Sequence, residues 1–145
     1  MTTAIDVRAA SHDDSQALAE LLTQLGYPVP AGELPARLDR FREQGNGEVL
    51  VAQVAGKVSA FAAFEITYPI HNEDPVAHLT AIAVAQAARR QGIGRRLLLA
   101  VESAARAAGC DHVVVTSAEQ RSDAHAFYPS AGWQATGRRF GKNLG

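Results

Sequence analysis

Ile5, Val7 and Ala9 alternate with Asp6 and Arg8, a period of two that predicts a short strand buried on one face. Ser11, with Asp14 three residues on, reads as a helix start, and Ala17, Leu18, Leu21, Leu22 and Leu25 recur at helical spacing until Gly26. Pro28 and Pro30 interrupt the pattern before Leu34, Leu38 and Phe41 place a shorter second helix, closed by Gly45-Asn46-Gly47. Residues 48–67 then switch to β: Val49, Leu50, Val51 and Val54, a turn at Ala55-Gly56-Lys57, and a returning strand over 58–66, together a hairpin. The two prolines within 68–75 predict an exposed loop, after which 76–84 resumes as a strand.

The second half alternates helix and strand. Leu97, Leu98, Val101, Ala104, Ala105 and Ala108 form the clearest apolar stripe of the chain, a helix over 94–108 stopped by Gly109. Val113 to Thr116 read as a buried strand, 123–131 as a short helix ending at Gly132, and 133–140 as a last strand or hairpin. With no repeat and no linker, 1–145 is expected to be one domain of α/β or α+β class, a mixed sheet covered by helices.

Composition narrows the partners. Hydrophobic residues make up 47% and charged residues 20% of 145, enough apolar material for a real core and too little charge for a disordered chain. Twelve Arg and two Lys face fifteen acids, a net charge of -1, which argues against a general nucleic-acid binder. No basic leader precedes an apolar run and no stretch is long enough to span a bilayer, so a cytoplasmic protein without membrane contact is expected. The lone Cys110 has no partner for an intrachain disulfide, suits a reducing compartment, and reads as a small buried hydrophobe. His71, His78, Cys110 and His112 do not have the spacing of a zinc site, so no metal is expected.

The strongest local signal is Arg89-Arg90-Gln91-Gly92-Ile93-Gly94-Arg95-Arg96, two glycines and four arginines between a strand and a strong helix. Glycines let a ligand approach the backbone, and the N–H groups at a helix start bind phosphate oxygens. A solvated arginine run around a plain turn is the alternative. Leu97 stands where a dinucleotide fingerprint needs its third glycine, and Arg95 and Arg96 follow Gly94 where a P-loop needs Lys and a hydroxyl, so neither of those motifs is present.

Arg89-x-x-Gly92-x-Gly94, following Ile82-Ala83-Val84, resembles the acyl-coenzyme A signature of the GNAT superfamily of N-acetyltransferases. Ala124-His125-Ala126-Phe127-Tyr128-Pro129-Ser130-Ala131-Gly132-Trp133 resembles that family's second motif, one helix and one strand downstream. The resemblance implies a mostly antiparallel sheet of six to seven strands, splayed at the acetyl-CoA site and flanked by about four helices. It implies that Arg89, Arg90, Gln91, Gly92, Ile93, Gly94 and Arg95 hold the pyrophosphate of acetyl-CoA. The pantetheine arm then pairs with Ile82, Ala83 and Val84, whose backbone N–H polarises the thioester carbonyl. Tyr128 takes the place of the family tyrosine that protonates the departing thiolate, and Arg121 stands where Asn is commoner, within reach of a cofactor carbonyl or phosphate. His78 falls where the histone-acetylating branch has its catalytic Glu. Simple alternation puts His78, Thr80, Ile82 and Val84 on one face, which makes His78 the candidate base, with Glu65 and Glu119 as alternatives. Tyr27, the 68–75 loop, Trp133 and Phe140 are candidates to grip the acceptor.

The activity implied is direct acetyl transfer to a primary amine of a small molecule. Protein N-termini or lysines, and a non-catalytic acetyl-CoA-binding module, are the alternatives. A homodimer through an edge strand near the C-terminus is a family analogy.

Overall fold

The computed structural model describes residues 4–115, 132–134 and 140–145. The first alternating stretch forms β1 (Ile5–Ala9), and the leucine-rich stretch forms α1 (Ser15–Leu25), entered through a 3₁₀ turn at His12–Asp14. The buried Asp14 carboxylate organises this entry. It accepts the Ser11 N–H at 2.8 Å and both arms of the Arg8 guanidinium at 2.8 and 2.9 Å. The Arg8 bonds, helped by Ser11, hold Asp14 below the usual carboxylate range in spite of its burial. Gly26, at φ 102°, closes α1 in the left-handed conformation that a β-carbon disfavours.

The second helix, α2 (Leu34–Gln44), leads into β2 (Gly47–Val54) and β3 (Lys57–Thr67). Their two-residue connection, Ala55 at φ 53° and Gly56 at φ 78°, is the left-handed pair that matches the twist of a tight hairpin. After the 68–75 loop come β4 (Val76–Val84), α3 (Ile93–Ala107) and β5 (Val113–Val115), in a sheet ordered β1-β2-β3-β4-β5. The pairs from β1 to β4 are antiparallel.

The register assigns the two faces. Val49, Val51, Phe61, Ala63, Ala81 and Ala83 share the face that packs against Leu18, Leu21, Leu34 and Leu38 of α1 and α2. The opposite face carries Ala52, Ala60, Ala62, Phe64 and Leu79, buried under α3 with its own buried Ile93, Leu97, Leu98 and Val101. The alanines, at 0% exposure, let the backbone of α3 approach the sheet closely enough to exclude water.

Among the described residues there are five strands and three α-helices, against the expected six to seven strands and about four helices. The expected helix over 123–131 lies outside the described residues. So does 135–139 of the expected last strand; Trp133, Gln134 and Phe140 are described and are not in a strand. The chain divides into two compact units, Met1–Val114 and Val115–Gly145. No helix among the described residues is long and apolar enough to cross a membrane.

Candidate functional site

At the end of β4 the Ala85 N–H donates to Ser59 of β3 at 2.7 Å. Successive residues of a strand direct their amides to opposite neighbours, so Val84 and Ile82 present their backbone groups to the edge away from β3. A 3₁₀ turn at Gln86–Ala88 follows, then Arg90 at φ 67° and Gly92 at φ 78° as the N-cap of α3. A left-handed arginine is strained by about 1 kcal/mol or more. Left-handed Gly92 is easy, and among the described residues nothing lies within 4 Å of where its β-carbon would be.

The first helical bond of α3 runs from the Arg96 N–H to the Gly92 carbonyl at 3.0 Å, so the N–H groups of Ile93 and Gly94 precede the hydrogen-bond ladder. Helix starts favour acids because the dipole is positive there. This one has no acid in its first turn, and Arg89, Arg90, Arg95 and Arg96 all crowd it and are exposed. The arrangement raises the local potential at the point where the backbone is most open, which is the chemistry of an anion site.

The middle of β4 corrects the expected alternation. Ala63 pairs with Ala81 but Phe64 pairs with Leu79, leaving Thr80 as an extra residue with its hydroxyl on the Ala63 carbonyl at 3.1 Å. A bulge of one residue exchanges the faces of everything beyond it. His78 therefore shares its face with Ala81 and Ala83, on the α1 and α2 side, while Ile82 and Val84 face the α3 side. The backbone edge of Ile82 and Val84 is unaffected.

On that first face His78 sits beside Glu65, its cross-strand partner, with Nδ1 3.5 Å from Oε1 and about a third of each side chain exposed. Glu65 in turn pairs with Gly47, over which the Phe41 ring is laid. The imidazole is thus half-buried next to one carboxylate, with an aromatic ring over the same row. At 3.5 Å the pair is in electrostatic contact without a hydrogen bond.

Gln24 is a contact that sequence reasoning missed. Its carboxamide, on the last turn of α1, donates to the Val84 carbonyl at 2.8 Å and accepts the Gln86 N–H at 3.0 Å. As a polar residue on the outer face of an amphipathic helix, it carries no signal that separates it from an ordinary solvated side chain.

The remaining candidates are dispersed. Burial, reinforced by Asp111 and Asp74, pushes the half-buried Cys110 thiol up, so it stays protonated and is no nucleophile at neutral pH. Tyr27, Tyr68 and Ile70 are exposed, as the connection after α1 and the 68–75 loop require. Trp133 is half-buried and Phe140 exposed. Tyr128, Arg121 and Glu119 lie outside the described residues, as does the part of the expected splay beyond Val115.

Residues 15–133 match the model of the acetyltransferase (GNAT) family. Aminoalkylphosphonate N-acetyltransferase of Salmonella typhimurium is 29% identical over 89 residues, 61% of this chain and 58% of that enzyme, so the match spans under two thirds of the relative. A putative acetyltransferase from Agrobacterium tumefaciens superposes with a TM-score of 0.85 at 25% identity, over 96% of this chain and 99% of the other. An aminoglycoside N-acetyltransferase, AAC(6')-Iy, in complex with CoA, also superposes at 0.85, covering 99% of this chain and 96% of its own. At 19% identity that likeness is one of fold.

Proposed function

Because the chain belongs to the GNAT family of acetyltransferases, we propose that it moves an acetyl group from acetyl-CoA to a primary amine of a small molecule, with residues 1–145 acting as one catalytic domain. The observation that carries the donor half is the start of α3. An open left-handed glycine, unladdered N–H groups and four arginines without an acid in the first turn fit a pyrophosphate. Arg89 to Arg95 hold the phosphates, and Ile82 and Val84 offer the edge for the amides of the pantetheine arm. Acetyl-CoA supplies an acyl group activated as a thioester.

The acceptor approaches from the α1 and α2 side, where His78 and Glu65 meet. Glu65 attracts the ammonium form and orients the imidazole, and His78 takes the proton, leaving the nitrogen lone pair free to attack the thioester carbon. Tyr128, by its place in the second motif, returns a proton to the departing sulfur. A backbone N–H near Val84 stabilises the charge that develops on the carbonyl oxygen. No covalent enzyme intermediate is needed, in keeping with the protonated Cys110 thiol.

The small-molecule reading is supported by one relative. The Salmonella enzyme is named for a small amine, and Glu65 suits an ammonium group. The test is mass spectrometry after incubation with isotope-labelled acetyl-CoA and a mixed metabolite and protein extract. Label in low-mass amines, above a no-enzyme control, is expected. Label confined to protein N-termini or lysines overturns the substrate class, and no label in either fraction overturns the catalytic reading.

A further inference from the structure

We propose that Gln24 is a positioning residue for the acyl donor, one that fixes the corner between β4 and the phosphate loop; this rests on the acetyltransferase reading above. The carboxamide bonds the Val84 carbonyl at 2.8 Å and the Gln86 N–H at 3.0 Å, the groups on either side of Ala85. That is how one residue of a parallel neighbour bonds a strand, reaching the carbonyl before and the amide after the residue opposite. Ala85 itself turns to β3, through its N–H to Ser59, so the Gln24 amide lies along the opposite edge, the one offered by Ile82 and Val84. A single side-chain amide therefore continues the sheet edge past the last strand residue.

Two consequences follow from this placement. The strand-like pairing of the donor's amide arm must end at the Val84 N–H, because Gln24 already holds the Val84 carbonyl and the Gln86 N–H. Where it ends, the chain enters the 3₁₀ turn that aims the loop toward the start of α3, so the tie sets the distance between the amide arm and the pyrophosphate. Gln24 also belongs to the same helix whose C-terminal connection carries Tyr27, which links the donor corner to the acceptor side through one rigid element.

The experiment uses the full chain and three proteins: wild type, Gln24→Ala and Gln24→Glu. Amide exchange of Gln86 is measured without ligand, CoA affinity by calorimetry, and KM and kcat with the amine found above. In Gln24→Ala, exchange at Gln86 is expected to quicken. Kd for CoA and KM for acetyl-CoA rise about tenfold, the worth of one or two neutral hydrogen bonds, while kcat at saturation stays within twofold. Gln24→Glu loses the donor to Val84 and sets a carboxylate near an anionic ligand, so its rise is larger and shrinks with added salt. Unchanged Gln86 exchange, or faster exchange with unchanged acetyl-CoA KM, overturns the proposal; the second leaves Gln24 a purely structural tie, visible in exchange and Tm but not in donor binding. A wild-type protein that binds no CoA overturns the donor reading itself, an outcome distinct from wild type and variant binding equally well.

Discussion

Replacing Gly92 by Glu separates an anion site from a plain turn. At φ 78°, any β-carbon costs about 1–2 kcal/mol of backbone strain. Because nothing among the described residues lies within 4 Å of the new atom, it meets no clash there, and for a chain of this size the loss lowers Tm by only about 2–8 °C. The ligand meets far more. A carboxylate roughly 5 Å from each of two phosphate charges costs about 0.8 kcal/mol per charge at the dielectric of water and about 3 kcal/mol at that of a protein surface. For the two charges together the middle of that range is about 4 kcal/mol, and even a total of about 3 kcal/mol is a hundredfold or more in Kd. The new carboxylate also satisfies the helix start itself and so competes with the pyrophosphate. Gly92→Gln carries the same strain and bulk without the charge, so the gap between Glu and Gln isolates the electrostatic part. Calorimetric titration with CoA should give an affinity order of wild type, Gln, then Glu, with the Glu–Gln gap narrowing at high salt. Glu binding CoA within threefold of wild type, or Gln and Glu binding alike, refutes the assignment of the loop.

Three further outcomes are expected. Asp14→Ala removes the buried acceptor of Arg8 and Ser11 and should lower stability by about 2–3 kcal/mol in urea melts, below the full cost for a buried pair because Arg8 reaches solvent. Since Asp14 titrates below its usual value in the fold, its contribution is present above the ordinary Asp range and is lost as pH falls through the lowered folded value, so wild type and variant should converge in strong acid; a gap that persists there refutes the linkage. His78→Ala should lower kcat at saturating amine by about a hundredfold or more with Tm little changed, and an effect on Tm alone makes His78 a packing residue. Gly47→Ala puts a β-carbon 2.5 Å from the Phe41 ring, costing about 1–3 kcal/mol, and adding Phe41→Ala should make that second substitution cheaper than in wild type; strict additivity rules out the contact.

Local chemistry made most of the first unit legible. Ala55-Gly56 supplies the left-handed turn, Gly26 the end of α1, and the leucine spacing the helices, because each depends on neighbours within a turn or two. What could not be read depends on partners far along the chain. Thr80 follows a smooth apolar and polar alternation with no glycine or proline to mark a bulge, and the extra residue exists only relative to the pairing of Ala63 and Phe64 with β3. The period-two reading therefore carried His78 correctly to a strand and wrongly to the face of Ile82 and Val84. Gln24 finds its partners 60 and 62 residues away, a separation at which helical periodicity is silent. The second motif, which with the first carried the family resemblance in the sequence, falls outside the described residues from Ala124 to Ala131, Tyr128 included, so the geometry of that stretch adds nothing to the site.

The distribution of local conflict along the chain is itself evidence about function. From β1 to β3 the departures serve the local turns: acids and Ser11 stand at the entry to α1, Gly26 at its exit, Ala55 and Gly56 form the left-handed pair of the hairpin, and the register shift at Ala52–Gln53 lies beside that turn. Between Thr80 and Arg96 the departures are of another kind. An extra residue breaks the ladder, Arg90 takes a conformation suited to glycine, and arginines gather at the positive end of a helix whose first turn holds no acid. None of these is required to bury the α3 stripe, which Ile93, Leu97, Leu98 and Val101 accomplish alone. Natural chains keep such conflicts where binding or chemistry needs them. An anion at the start of α3 would relieve the largest of these conflicts, the gathering of arginines at a positive helix end, so CoA should raise Tm in wild type and raise it far less in Gly92→Glu. A thermal shift with CoA that is equal in both proteins would mean that the conflict in this stretch has a different cause.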